Sequence, residues 1–261
     1  MASYDWIGDI AILKFPEDAE KKEKKEYAEE FLKKNKGIKT ILEKAGRIKG
    51  RLRIAGTRFL AGKDRRETIY IENGCRFKIN VDETYFSTRL ANQRQKIAEE
   101  ISRKVTKKKN KILVMFAGIA PFPIVIAKKL KDAGKKAKII SNEINRKASR
   151  YAEENVRLNK FQDYIKVVQG DSKKLPAKLK ERFDFIVMPR PNLKDTFLDI
   201  ALKFSKKGAR IYYYGFGTKE KVLEEIKRDA GKKAGKIKIE KAGEIAPYKY
   251  RWLARFKILS K

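Results

Sequence analysis

The strongest constraint on this chain is a rhythm. From residue 111 onward, short apolar runs alternate with charged, amphipathic ones. Residues 111–116, 137–142, 165–169, 183–188 and 209–215 read as strands, rich in Ile, Val, Leu and Phe. Residues 88–108, 121–133, 146–159, 193–203 and 219–232 read as helices. Strands that lack polar alternation are buried on both faces, and helices between them make the crossovers of a mainly parallel sheet. Residues 237–242 and 250–258 are two more strands with no helix between them, which predicts an antiparallel edge strand. Residues 83–261 are therefore expected to form a Rossmann-like α/β domain.

Residues 1–82 have a different pattern. Residues 4–15 read as one strand, 17–35 as a helix with Pro16 at its start, 37–43 as a strand and 48–59 as another. Residues 68–71 and 75–81 flank Asn73-Gly74, a pair suited to a tight hairpin turn. A small α+β module is expected here.

Composition narrows the chemistry. The chain has 66 Lys plus Arg against 33 Asp plus Glu, a net charge of +33. So strong a positive field points to a polyanionic partner, with nucleic acid the leading candidate. The chain has no His and one Cys. Imidazole acid–base chemistry, Ser-His-Asp triads, His-metal sites, multi-Cys zinc sites and intramolecular disulfides are thereby excluded, and no metal is expected. The apolar run 112–120 is far short of the roughly 18 residues a membrane helix needs. Asp5 and Asp9 are out of place in a signal peptide. A soluble, reducing, cytoplasmic setting is expected, with the protein acting as a monomer.

Four strand ends carry polar or small residues where an open α/β sheet places its ligands. After 111–116 comes Phe116-Ala117-Gly118-Ile119-Ala120-Pro121, small residues opening a helix whose N–H groups can meet a ligand. Glu143 ends the second strand, where a carboxylate can accept from both hydroxyls of a ribose. Gly170-Asp171 ends the third, where a carboxylate can accept from an adenine amino group. Pro189-Arg190-Pro191 ends the fourth as a stiff loop able to hold a substrate base. Together these features point to an adenosine-containing ligand.

These segments also carry a resemblance. The second part resembles class I S-adenosylmethionine-dependent methyltransferases. More closely, the chain is similar to the archaeal and eukaryotic tRNA (guanine-37-N1)-methyltransferase family with its wybutosine-synthesis relatives. The matching motifs are Ile7-Gly8-Asp9-Ile10-Ala11, Asn73-Gly74-Cys75-Arg76-Phe77, Phe86-Ser87-Thr88-Arg89-Leu90, Met115-Phe116-Ala117-Gly118, Glu154-Asn155-Val156-Arg157-Leu158-Asn159 and Met188-Pro189-Arg190-Pro191. The resemblance implies that S-adenosylmethionine is the cofactor. Phe116, Ala117 and Gly118 would line its methionine part, Glu143 its ribose and Asp171 its adenine. It implies catalytic positions at Arg53, Arg89, Pro189 and Pro191, with the prolines beside the target guanine and Arg53 near guanine O6. Arg89, Arg94 and Arg190 would contact tRNA near the anticodon. Residues 1–82 would position the RNA. Family members often carry a further N-terminal domain that grips the tRNA elbow; this chain is expected to lack it, with its cationic excess replacing that contact.

Three positions depart from the family pattern. Pro189 stands where Asn is common, Val114 where an acid often precedes the Met-Phe-Ala-Gly motif, and Gln93 where many members have Glu. Gln93 matters most, because guanine N1 carries a proton that must leave and a carboxylate normally takes it. Asp195 and Glu72 are alternative acceptors, and water is a third. Aminocarboxypropyl transfer or carbon methylation of a wyosine precursor on the same fold is the alternative reaction. A catalytically weak RNA-binding relative is the alternative class.

Overall fold

Gly8 divides the first apolar stretch. In a computed structural model of the chain, which describes residues 3–49, 54–106, 110–246 and 248–260, the expected strand 4–15 is a hairpin of β1 (Ser3–Ile7) and β2 (Ile10–Lys14). Gly8 has φ +59°, and a Cβ there would collide with the Thr68 side chain and the Ile69 carbonyl. The close approach forces the chain to turn there.

The chain divides into two units, Met1–Thr88 and Arg89–Lys261. In the first, α1 (Lys21–Lys34) begins later than expected, leaving Pro16 outside the helix. Its first turn is closed by the Glu23 carboxylate, which accepts the Glu20 N–H at 3.4 Å. β3 (Thr40–Lys49) runs parallel to β2, and β4 (Ile54–Gly62) pairs antiparallel with β3. The sheet order is β1-β2-β3-β4. Helix α1 covers it, placing Tyr27, Ala28, Phe31 and Leu32 against Leu13 and Ile41. β5 (Glu67–Glu72) and β6 (Cys75–Asn80) form the expected hairpin. Asn73 and Gly74 both have positive φ, the conformation that Asn-Gly adopts at least cost.

The second unit keeps the predicted alternation. After a 3-10 turn (Thr88–Leu90) come α2 (Ala91–Lys104), β7 (Asn110–Met115), α3 (Pro121–Asp132), β8 (Ala137–Glu143), α4 (Arg146–Leu158) and β9 (Ile165–Gln169). Next are α5 (Leu175–Lys178), β10 (Phe183–Met188), α6 (Leu198–Phe204), β11 (Ser205–Gly217), α7 (Lys219–Ala230), β12 (Lys238–Ala246) and β13 (Lys249–Lys257). The sheet order is β12-β13-β11-β10-β7-β8-β9. β9, β8, β7, β10 and β11 are parallel; β13 pairs antiparallel with β11, and β12 with β13. The antiparallel edge thus has two strands. Ile112, Leu113, Val114 and Met115 are fully buried, as a strand covered on both faces requires. Each such side chain contributes about 1.5–3 kcal/mol on leaving water.

The chain runs outward from β7 to β8 and β9, then returns to place β10 on the other side of β7. The crevice between the carboxyl ends of β7 and β10 is the topological switch point, where open α/β sheets bind ligands.

One helix is much shorter than expected. Residues 193–203 read as helix, but α6 starts at Leu198. The Arg190 guanidinium takes the carbonyls of Pro191, Leu193 and Asp195. These contacts hold residues 191–195 as an irregular loop ahead of the helix. Phe197, at φ +58°, ends the irregular segment.

Candidate active site

The turn after β7 is strained in a specific way. Phe116 (φ +58°), Gly118 (φ +56°) and Ala120 (φ +68°) all lie in the left-handed region. For Phe and Ala this costs about 1–3 kcal/mol each, a price the surrounding structure must over-determine. Two contacts do so. The Ala117 N–H donates to the Asn142 carbonyl at 2.8 Å, and the Gly118 N–H donates to Glu143 Oε2 at 2.8 Å. Pro121 then opens α3 at a position where no N–H is needed.

Glu143 is the hub. Its Oε1 accepts the Asn145 N–H at 2.8 Å, and its carbonyl accepts the Gly170 N–H at 2.8 Å. The turns after β7, β8 and β9 are thus tied to one residue. Burial pushes the Glu143 pKa up, and the N–H donors of Asn145, Gly118 and Ile144 only partly offset that. The residue as a whole is part-buried. A carboxylate has about four acceptor sites, so the backbone contacts fix its plane while its open side can accept hydroxyl donors. This fits the vicinal hydroxyls of a ribose.

Beside it, Asn142 is fully buried. Its Nδ2 donates to the carbonyls of Val168 (3.0 Å) and Gly170 (2.9 Å), and its Oδ1 accepts the Ser172 hydroxyl at 2.7 Å. Asn142 therefore sets the position of Asp171. Asp171 Oδ1 accepts the Lys173 N–H at 3.0 Å, which turns the chain back at the sheet edge. Asn145 caps α4, accepting from Lys147 and Ala148.

The loop after β10 reaches the same edge. The rings of Phe116 and Phe197, both on left-handed backbone, meet edge to face at 5.0 Å. Lys173 pairs with Asp195 at 2.5 Å and lies 5.4 Å from the Phe197 ring centre. Phe116, Ala117, Gly118, Glu143, Asp171, Pro189 and Pro191 thus stand on loops of one sheet edge.

Two expected RNA contacts are corrected. Arg190 is 3% exposed. Its Nε donates to the Tyr213 hydroxyl at 3.0 Å and its Nη2 to Glu225 at 3.3 Å, while Tyr213 donates to Glu225 at 2.6 Å. With three loop carbonyls on Nη1, its donors are directed inward, and it shapes the 189–197 loop rather than meeting phosphate. Arg94 is 2% exposed, with its guanidinium 5.9 Å from the Phe122 ring centre. It is an interior cation of the α2–α3 interface. Arg89 is exposed on the 3-10 turn. Arg53 lies outside the described residues. Asp195, weighed as a proton acceptor, is a weak one. Burial alone would raise its pKa, but the Lys173 ion pair and the Phe197 N–H hold it below the usual carboxylate range. Glu72 is buried at the end of β5 in the N-terminal unit. Gln93, on α2, has its Oε1 buried without a hydrogen-bond partner.

Asn142, Phe197, Tyr213 and Glu225 were not legible as site residues. Asn142 left one trace, a polar residue inside an apolar strand. The others depend on partners far along the chain.

Among the described residues no group of acidic or Cys side chains could hold a metal ion. No described helix is long and apolar enough to cross a membrane.

Comparison with known proteins agrees with this geometry. Residues 68–240 match the TRM5/TYW2 methyltransferase domain, and residues 1–65 match the TYW2 N-terminal domain. The chain is 33% identical over 265 residues to the tRNA (guanine(37)-N(1))-methyltransferase Trm5b of Pyrococcus abyssi, covering 98% of this chain and 74% of that protein. It is 30% identical over 304 residues to the tRNA (guanine(37)-N(1))/4-demethylwyosine(37)-methyltransferase Taw22 of Nanoarchaeum equitans, covering 95% and 97%. A solved complex of aTrm5 and tRNALeu superposes with TM-score 0.84 at 28% identity, covering 98% of this chain and 72% of that one. The chain belongs to the TRM5/TYW2 family of S-adenosylmethionine-dependent methyltransferases.

Proposed function

We propose that this chain methylates N1 of the guanine 3′ to the anticodon of tRNA, using S-adenosylmethionine. The observation that carries the reading is the Glu143 hub, a carboxylate at the end of β8 that locks the strained 116–120 turn at the switch point of the sheet. The identity to Trm5b supports the substrate. Residues 83–261 are the catalytic domain and residues 1–82 position the RNA. The enzyme works as a cytoplasmic monomer.

The cofactor supplies an electrophilic methyl group. Glu143 holds its ribose, Asp171 its adenine, and the backbone of Phe116, Ala117 and Gly118 its methionine end. Pro189 and Pro191 form a stiff wall for the guanine ring, and the Arg190 clamp keeps that wall in place. Orientation of this kind supplies much of the rate gain in a displacement reaction. Guanine N1 gives its proton to water as it is methylated, and Arg89 would stabilise the negative charge that develops at O6. Gln93 cannot take that proton, and its side-chain oxygen is buried.

Gln93→Glu would place a carboxylate where that oxygen is buried, raising its pKa and making it a stronger base. It is expected to raise the single-turnover rate about 10-fold or more. A clear loss of rate would contradict the placement of Gln93 at the guanine. Gln93 also favours a second reading, methylation of a wyosine precursor, since the Taw22 relative is named a 4-demethylwyosine(37)-methyltransferase as well.

The test is label transfer from methyl-labelled S-adenosylmethionine to tRNA transcripts with guanosine or adenosine 3′ to the anticodon. Label is expected only in the guanosine transcript. Equal labelling of both would overturn the site assignment.

A further inference from the structure

Trp6 is a large ring that the fold leaves in solvent yet holds still. It is 43% exposed. Its indole N–H donates to the Gly8 carbonyl at 2.7 Å, and its ring lies on Gly37, where a Cβ would stand only 3.3 Å from Cζ2. The cost of ordering the ring is thus met before any ligand arrives.

Its surroundings are cationic and open. Lys36 and Lys39, on either side of Gly37, are both exposed. A cavity of about 610 Å³ opens beside the ring, bounded by the Arg65–Asp9 ion pair and residues 68–71 of β5, so the free positive charge near the ring comes from the lysines. Ile69 and Ile71 on that wall are 39% and 66% exposed. A fixed indole beside lysines, on a chain of net charge +33, has the composition of a surface that stacks single-stranded bases and neutralises the phosphates next to them. A protein partner is a poorer fit, since Lys is depleted from protein–protein interfaces. A second copy would bring the same excess of positive charge.

We infer that Trp6 is a stacking platform for an unpaired nucleobase of the RNA substrate, with Lys36 and Lys39 meeting the flanking phosphates. This rests on the proposed function in taking RNA as the substrate.

The chain has two tryptophans, Trp6 and Trp252, so Trp252→Phe leaves Trp6 as the sole indole reporter. Titration of that variant with an unmodified tRNA transcript is expected to quench the Trp6 emission in step with binding. A fully paired RNA duplex of equal charge is expected to bind without comparable quenching. Trp6→Ala is expected to weaken transcript binding about 10-fold. The slope of log affinity against log salt should stay unchanged, because no phosphate contact is lost. Trp6→Phe keeps an aromatic face and should retain most of the affinity. Binding without quenching, equal quenching by the duplex, or unchanged affinity in Trp6→Ala would overturn the platform while leaving the methyltransferase reading intact. Conversion of a dimer to a monomer by Trp6→Ala would overturn it in favour of a protein interface. Failure of the wild-type chain to bind the transcript would overturn both.

Discussion

Glu143→Ala is expected to lower the affinity for S-adenosylmethionine about 100-fold or more, read by calorimetric titration. Hydrogen bonds to a charged group contribute about 1.5–3 kcal/mol each, and under the proposed ribose assignment a diol would make two of them with this carboxylate. The substitution also leaves the Gly118 and Asn145 N–H groups without their acceptor, loosening the strained turn that faces the methionine end. Unchanged affinity would sink the ribose assignment. The pH dependence has a definite sign. Burial raises the Glu143 pKa above its ordinary 4.5. In the unliganded protein, the stability that the protonated side chain contributes is therefore present below that value and is lost as pH rises through the elevated one. Cofactor binding needs the ionised acceptor and runs the other way, weakening as pH falls through the same window. The thermal shift produced by saturating cofactor should grow with pH there.

Arg190→Met is expected to have the largest effect on stability. Arg190 joins Tyr213, Glu225 and three loop carbonyls. Removing one partner of a buried ion pair costs about 3–5 kcal/mol, because the other charge stays behind without its counterion. Burial pushes the Tyr213 hydroxyl pKa up, so it stays a donor and cannot replace the lost cation. Thermal denaturation should show the loss directly. At a temperature where the variant is still folded, turnover should fall while cofactor affinity changes little, because the loop it holds carries Pro189 and Pro191 rather than Glu143. Arg190→Lys should recover little of either, since an ammonium cannot span the separate acceptors that the guanidinium fork reaches. A variant with normal melting and normal turnover would remove Arg190 from the account.

The two arginine corrections show where sequence reading stops. Strands β7 and β10 were legible because burial on both faces leaves a nearly continuous apolar run. Glu143 and Asp171 were legible because strand ends in such a sheet share one edge. Arg94 and Arg190 were expected at the RNA because the family resemblance implies it. Their burial is set by Phe122, Tyr213 and Glu225, partners that only the folded sheet brings near. The same cause hid the true start of α6. The helical pattern of residues 193–203 is real, but the Arg190 contacts and the left-handed backbone of Phe197 hold its first turn as a loop. Gly8 is the counterpart in the N-terminal unit. Gly8-Asp9 interrupts the apolar pattern between Ile7 and Ile10, and the approach of β5 shows why the first of the pair is glycine.

The most direct test of the central claim is mass spectrometry of nucleosides from a tRNA transcript incubated with the purified chain and S-adenosylmethionine. The account predicts a guanosine heavier by one methyl group, modified at N1 and located immediately 3′ to the anticodon. A gain of an aminocarboxypropyl group, or a methyl group found only when a tricyclic precursor base is supplied, would contradict it.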